Sequence, residues 1–218
     1  MNRSLLFRKT LYIVIIYGLY YNLVFLWLRP SIYSNLFFLT YLIIQYTTGS
    51  IDTYLRPLET ERREQGAYLF YILMLIFIAP FLFILADIEH TWLFGDYWDW
   101  MGVVGLVVYL LASIIILWSR QHLGKQGTGV LVVVEDHHLI TSGLYSSVRH
   151  PMYFGILLGV FGFCLVVQSV IVAPLTLILY AMIFNQRANY EEVMLIDAFG
   201  EEYAVYKEST KKFLPYLY

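Results

Sequence analysis

Apolar residues in this chain run in long unbroken stretches, not in the alternations or narrow stripes of a soluble domain. Four long stretches carry no charge: Thr10–Leu28, Ser31–Ile51, Gly66–Ala86 and Trp100–Ser119. A hydrocarbon core of about 30 Å needs about 20 apolar residues per crossing, so each stretch predicts one membrane helix. Pro80 removes a backbone donor inside the third and is expected to kink it. A fifth charge-free run, Pro151–Gln186, is too long for one crossing. As a single helix it would span about 54 Å, at a rise of about 1.5 Å per residue. It must therefore fold back, at Gln168-Ser169 or at Pro174. The result is a tight helical hairpin with arms slightly short of a full crossing, and six spanning helices in all.

Two polar segments flank the hairpin. Arg120–His150 holds Gly124, Gly127 and Gly129, a β-like run at Val130–Val134, and then Glu135-Asp136-His137-His138. After the hairpin, Val193, Ile196, Phe199, Tyr203 and Tyr206 recur at helical spacing among Glu192, Asp197, Glu201, Glu202 and Glu208. That pattern predicts an amphipathic C-terminal helix, with Gly200 inside it. No repeat or low-complexity linker interrupts the chain, so 1–218 is expected to be a single membrane domain. Residues 1–119 supply four transmembrane helices, and 120–218 supply a polar loop, the hairpin and the C-terminal helix.

Composition sharpens this into an all-α integral membrane fold. Hydrophobic residues make up 60% of the chain and charged ones 14%, against about 25% charged in soluble domains. A net charge of −2 argues against nucleic acid as a partner, which calls for a basic face. The single cysteine, Cys164, excludes an intrachain disulfide and a cysteine metal cluster. The first apolar stretch is longer than a signal-peptide core of about 7–15 residues, and no small-x-small cleavage site follows, so an uncleaved first helix is expected. With the N-terminus in the cytosol, Arg29 alone of the 14 Lys and Arg residues falls outside. The positive-inside rule thus predicts a multi-pass protein with both termini cytosolic and membrane lipids as its surroundings.

This orientation gathers candidate chemistry at the cytosolic mouth of the hairpin. Arg149-His150-Pro151 opens its first arm and Arg187 closes its second, while Glu191 follows Arg187 by one helical turn. Singly, each charge is an ordinary interface anchor, and His150-Pro151 is a helix start with proline at its favoured first position. Jointly they offer guanidinium, imidazole and carboxylate at a membrane surface. His122, His137, His138 and His150 lack zinc-ligand spacing and a thiolate partner, so no metal is expected. The loop glycines lack the Gly-Lys-Ser/Thr ending of a phosphate loop. Asp52, near the inner end of the second helix, is expected at the interface.

The stretch Gly143-Leu-Tyr-Ser-Ser-Val-Arg-His-Pro-Met-Tyr-Phe-Gly155 resembles the G-x-Y-x-x-x-R-H-P-x-Y-x-G signature of the isoprenylcysteine carboxyl methyltransferase family. Phosphatidylethanolamine methyltransferases carry a related pattern. His137-His138-Leu139-Ile140 resembles the family's H-x-L-[IV] segment, Arg187-Ala-Asn-Tyr-Glu191-Glu192 its R-x-x-x-E-E, and Phe199-Gly200-Glu-Glu-Tyr203-x-x-Tyr206 its F-G-x-x-Y-x-x-Y ending. The likeness runs from about Leu123 to Pro215. It implies an enzyme that transfers a methyl group from S-adenosylmethionine. It further implies that His137, His138, Leu139, Ile140 and Tyr145 line the cofactor site, that His150, Pro151, Met152 and Tyr153 hold the cofactor at the hairpin mouth, and that Glu191 faces it too. Arg187 would face the methyl acceptor, and Arg149 and Gly155 would support.

The acceptor implied first is the α-carboxylate of a prenylated cysteine. Its reference pKa of about 3.3–3.7 leaves it ionised, so it needs desolvation and alignment but no base. An arginine fork suits it. A phospholipid amine or a thiol is the alternative; an ammonium acceptor must first lose a proton, with Glu191, Glu192 or His150 the candidate bases. A transporter or scaffold that retains the fold without catalysis is the alternative of another class.

Overall fold

The computed structural model describes residues 3–15, 35–55, 99–124, 138–169 and 171–214. Six α-helices and one 3-10 turn account for most of them: α1 Arg3–Ile13, α2 Leu36–Leu55, α3 Asp99–Leu123, the turn Gly143–Ser146, α4 Pro151–Val166, α5 Val172–Phe199 and α6 Glu201–Ser209. No strand occurs among the described residues. The expected first helix begins earlier than Thr10, at Arg3, and is described only to Ile15. The helix expected at Gly66–Ala86 and the β-like run at Val130–Val134 lie outside the described residues.

Local chemistry explains the helix ends. The Asn35 side-chain oxygen accepts the backbone N–H groups of Phe37 (2.9 Å) and Phe38 (3.1 Å), which caps the start of α2. Lys9 Nζ donates to the Tyr54 carbonyl at 2.9 Å, which ties α1 to an unsatisfied carbonyl at the end of α2. α4 opens with proline at its first position. It closes where expected, at Gln168-Ser169. The Ser169 N–H reaches the Cys164 carbonyl (2.9 Å) and the Gln168 N–H reaches that of Leu165 (3.1 Å), with Gln168 at φ 57. This is a Schellman ending with glutamine where glycine is customary. Pro174 lies inside the first turn of α5, not at the bend.

The expected separate C-terminal helix needs correction. α5 runs on through the polar segment as one 28-residue helix, carrying Arg187, Glu191 and Glu192 on the same rigid rod as the apolar arm. It stops at Gly200, whose φ of 56 with ψ −124 suits only glycine, and the short α6 follows. Gly200 is therefore a break between two helices, not an interior residue of one.

α3 and α4 pack antiparallel through glycine. A Cβ on Gly162 would lie 2.7 Å from the Tyr109 backbone nitrogen, and one on Gly105 would lie 2.6 Å from that of Val166. The two backbones touch, the packing that small residues permit inside a membrane, where apolar burial gives no drive for helix association. α2 seats beside them. Phe38, Leu42, Val166 and Val167 form a buried cluster, and the Tyr41 ring lies 4.9 Å from that of Phe163 and 4.7 Å from that of Tyr109. At the other end, Asp52 is not simply interfacial. It accepts from Arg120 Nε at 2.7 Å, and both side chains are largely buried (13% exposed for Asp52, 5% for Arg120).

The outward faces of these helices are apolar. Val103, Val107, Leu110, Leu111, Ile114 and Trp118 of α3 are exposed, as are Leu175, Ile178 and Met182 of α5. A continuous apolar face of this kind suits lipid and not water. α3 is long and apolar enough to cross a bilayer. α4 falls short of a full crossing, as the hairpin expectation requires.

The glycine contact yields a paired prediction. Gly162→Ala should destabilise the protein by about 1–3 kcal/mol, because the new methyl must push α3 and α4 apart and that outweighs alanine's helix-propensity advantage of about 1 kcal/mol. Gly159→Ala, whose methyl would meet the Ala112 Cβ at an ordinary 3.6 Å, should be neutral or stabilising. Thermal unfolding of both variants in detergent checks the contrast.

Candidate active site

The hairpin mouth is built by three elements that the chain brings back to one end. α4 begins there and places Tyr153 one turn below His150. α5 passes alongside and presents Arg187, Glu191 and Glu192. The segment after α6 returns and pairs with the chain that precedes α4: Arg149 N–H donates to the Lys211 carbonyl (2.8 Å), His150 N–H to that of Lys212 (3.0 Å), and Lys211 N–H to that of Ser147 (3.1 Å). This short parallel pairing, Val148 with Lys211, satisfies backbone groups that would otherwise be stranded beside buried side chains. Tyr206 Oη donates to the Tyr145 carbonyl at 2.6 Å and fastens α6 to the 3-10 turn.

Two adjacent glutamates organise the charges. Glu191 accepts a hydrogen bond from Tyr153 Oη and lies 3.4 Å from Arg187 Nε, which itself donates to Tyr153 Oη at 2.7 Å. Glu192 is buried. It meets Arg149 Nε at 3.0 Å and Lys207 Nζ at 2.8 Å. His150 bridges the pair, with Nδ1 3.4 Å from Glu191 and Nε2 3.4 Å from Glu192. The imidazole also stacks on Tyr153 at 5.4 Å and 7°, and Tyr153 stacks in turn on Phe184 at 5.0 Å. Arg149 is fixed further by the carbonyls of Lys207 (2.9 Å) and Thr210.

The electrostatics follow from these contacts. Burial pushes the His150 pKa down, but the two flanking carboxylates outweigh it and hold the imidazolium above its ordinary 6.5. Burial pushes both glutamates up. His150 and Arg187 outweigh that at Glu191, and His150, Lys207 and Arg149 outweigh it at Glu192, so both sit below the usual carboxylate range. The site thus packs two carboxylates against the His150 imidazole, Arg149, Arg187 and Lys207.

Of the site residues expected from sequence, His150, Tyr153, Arg187 and Glu191 converge in direct contact. Pro151 is buried at the helix start and Met152 is half-buried on the next position of α4. Tyr145 is buried in the 3-10 turn and takes part through its carbonyl. His138 is exposed, and Leu139 and Ile140 half-buried, on the extended segment that leads into the turn. His137 lies outside the described residues. Sequence reasoning weighs Glu192 only as a candidate base and Arg149 only as support, yet the two form a buried ion pair of the mouth. The doubled acid in Arg187-x-x-x-Glu191-Glu192 is the available signal, since two adjacent carboxylates on a half-buried helix face require compensating cations. Among the described residues, no group of three or more His, Cys, Asp or Glu converges as metal ligands would.

The apolar hairpin thus carries a charged, hydrogen-bonded mouth at one end. Residues 100–202 match the family model described as phospholipid methyltransferase. The resemblance to isoprenylcysteine carboxyl methyltransferases is borne out by curated relatives. The chain is 32% identical over 128 residues to a probable protein-S-isoprenylcysteine O-methyltransferase of Oryza sativa subsp. indica, covering 56% of this chain and 64% of that one. It is 31% identical over 124 residues to the Xenopus laevis protein-S-isoprenylcysteine O-methyltransferase (54% of this chain, 42% of that one) and 30% identical over 127 residues to the human one (54% and 42%). The chain thus spans less than two thirds of the length of these relatives. The fold resembles a solved eukaryotic intramembrane Ras methyltransferase, isoprenylcysteine carboxyl methyltransferase, with a TM-score of 0.68 at 19% identity over 100% of this chain and 88% of that one.

The shifted groups make stability depend on pH in a stated direction. His150, with its pKa raised in the fold, stabilises fully below 6.5, and this is lost as pH climbs through the raised value. Glu192, with its pKa lowered, stabilises above 4.5, and this is lost as pH falls through the lowered value. Thermal unfolding in detergent should therefore be most resistant between these two ordinary values and decline on the alkaline side. His150→Gln should remove the alkaline decline and leave the acid one.

Proposed function

We propose that this chain is a multi-pass membrane methyltransferase that transfers a methyl group from S-adenosylmethionine to the α-carboxylate of a prenylated cysteine at the cytosolic face. The observation that carries the reading is the convergence of His150, Tyr153, Arg187 and Glu191 at the polar mouth of an apolar hairpin. Residues of α4 and α5 far apart in the chain meet there in direct hydrogen bonds, Arg187 with Tyr153 across 34 positions and Tyr153 with Glu191 across 38. The Xenopus laevis and human relatives are protein-S-isoprenylcysteine O-methyltransferases, which supports the same acceptor. The cytosolic side is supported by the distribution of basic residues. The six spans, the division at residues 119 and 120, and the cofactor roles of His137, His138, Leu139, Ile140 and Tyr145 belong to the same reading.

The residues fit the cofactor's chemistry. S-Adenosylmethionine supplies an activated methyl on a sulfonium beside an ammonium and two ribose hydroxyls. Glu191, a partly exposed anion at the mouth, can accept from those donors. Arg187 holds the acceptor carboxylate by a fork whose direction is fixed through its Nε bond to Tyr153. The apolar hairpin keeps the prenyl tail in the bilayer and excludes water from the carboxylate, which raises its readiness to attack.

The same geometry disfavours a phospholipid amine. That acceptor needs a base, yet neighbouring cations hold Glu191 and Glu192 below the usual carboxylate range, which makes them weak bases, and the two carboxylates hold His150 toward its protonated form. Activity on a prenylcysteine carboxylate should accordingly fall as pH rises through the raised pKa of His150. Activity on an amine would climb over the same range. A pH profile of methyl transfer to N-acetyl-S-farnesyl-cysteine checks the sign.

Binding of S-adenosylmethionine to detergent-purified protein, measured by calorimetry, tests the cofactor half. Wild type should bind saturably, and Glu191→Ala and His150→Ala should weaken binding by about 10-fold or more, the loss of one hydrogen bond to a charged group at about 1.5–3 kcal/mol. Arg187→Gln should leave cofactor binding intact and lower kcat/KM for the farnesylated acceptor by about 10–100-fold. A folded wild type that binds no cofactor would sink the methyltransferase reading.

A further inference from the structure

A second site lies on the other side of α5 from Arg187. A groove of about 530 Å³ runs between α4 and α5, walled by Phe154, Leu157, Phe161, Met182, Phe213 and Leu214 and rimmed by Asn185. Its size falls within the range of about 300–1,000 Å³ typical of ligand sites. Asn185 and Asn189 project from α5 about 200° round the helix from Arg187 and Glu191. Phe184, Ala188 and Phe213 pack with Tyr153 between the two. The groove is therefore separate from the charged mouth.

Asn185 of the rim accepts a hydrogen bond from an unusual cation, Lys212. Lys212 is only 9% exposed, and its Nζ donates to Asn185 Oδ1 and Asn189 Oδ1, each at 2.6 Å. The ammonium also lies 5.6 Å from the centre of the Phe213 ring, which itself walls the groove. No carboxylate among the described residues forms an ion pair with it. Glu192, whose field reaches it, is already taken by Arg149 and Lys207. Two neutral amides satisfy its hydrogen bonds but leave its charge uncancelled, and burial pushes the ammonium toward the neutral form. A buried cation of this kind calls for an anion.

We propose that the groove and Lys212 bind one anionic phospholipid of the surrounding bilayer, with an acyl chain along α4 and α5 and the phosphate at the Lys212 ammonium. The occupant must be anionic at one end, apolar along the rest, and present at the depth of the hairpin. The bilayer supplies such a molecule at high local concentration. The phosphate completes the compensation of Lys212, and through Phe213 and Leu214 the lipid braces the segment that pairs with Ser147–His150. The site thus couples the lipid environment to the geometry of the mouth without touching the reacting groups.

The full chain in detergent, titrated with phosphatidylglycerol or phosphatidylcholine and read by native mass spectrometry, tests this. Wild type should retain one phosphatidylglycerol about fivefold more tightly than phosphatidylcholine, the effect of about one basic residue at an anionic headgroup. Lys212→Gln should abolish that preference. Met182→Trp, which fills the groove, should reduce retention of both lipids with Lys212 intact. Cooperative thermal unfolding of each variant in phosphatidylcholine controls for folding. Equal retention of the two lipids by wild type, or a preference that survives Lys212→Gln, would overturn the proposal. So would competitive displacement of phosphatidylglycerol by N-acetyl-S-farnesyl-cysteine, which would assign the groove to the acceptor's chain.

Discussion

Two neighbouring carboxylates, Glu191 and Glu192, set the terms for this end of the molecule. One is buried and the other largely so, and uncompensated charges there would cost several kcal/mol each. Compensation comes from four cations on three separate segments: Arg149 and His150 ahead of α4, Arg187 on α5 and Lys207 on α6. Meeting that demand obliges the start of the hairpin, its second arm and the C-terminal helix to converge. The short parallel pairing of Val148 with Lys211 is the backbone counterpart of the same closure. Because the compensating groups are also the polar lining of the mouth, the electrostatic need and the site are one construction.

The rest of the fold keeps that construction in place by close backbone contact. In a bilayer, apolar side chains gain little by leaving lipid for a neighbouring helix, so packing must come from contact and shape. Gly105 and Gly162 supply it by letting α3 and α4 touch. α2 adds an aromatic seat at the hairpin's turn and, through Asp52 and Arg120, an ion pair at the opposite end, where α3 leads toward the 3-10 turn and the mouth. The early helices, which carry none of the family signature, thus still contribute a charged contact on the side of the site.

The arrangement also separates two tasks. The mouth holds closely paired charges, with His150 pushed toward its protonated form and the two glutamates toward their ionised forms, which suits positioning and electrostatic stabilisation more than proton transfer. The lateral apolar groove lies behind an aromatic wall, so an anionic lipid there would act on the stability of the closing segment and not on the reaction itself.

Much of this was legible in the sequence because its physics is local or additive. Charge-free runs mark where helices are expected, and the length of Pro151–Gln186 forces the fold-back that α4 and α5 make. The signature residues His150, Tyr153, Arg187 and Glu191 could be named together because the hairpin returns to its origin. What the sequence could not disclose depends on partners far apart along the chain. Arg149 meets Glu192 across 43 residues, and Arg120 meets Asp52 across 68. Lys212 faces Asn185 and Asn189 only because the last segment folds back beside α5. Even the continuation of α5 to Gly200 was hidden, since an apolar arm and an amphipathic tail look like two helices until one rod is seen to carry both. Helix existence and membrane burial follow from the composition of short windows; which charge neutralises which is decided only when tertiary packing sets distances.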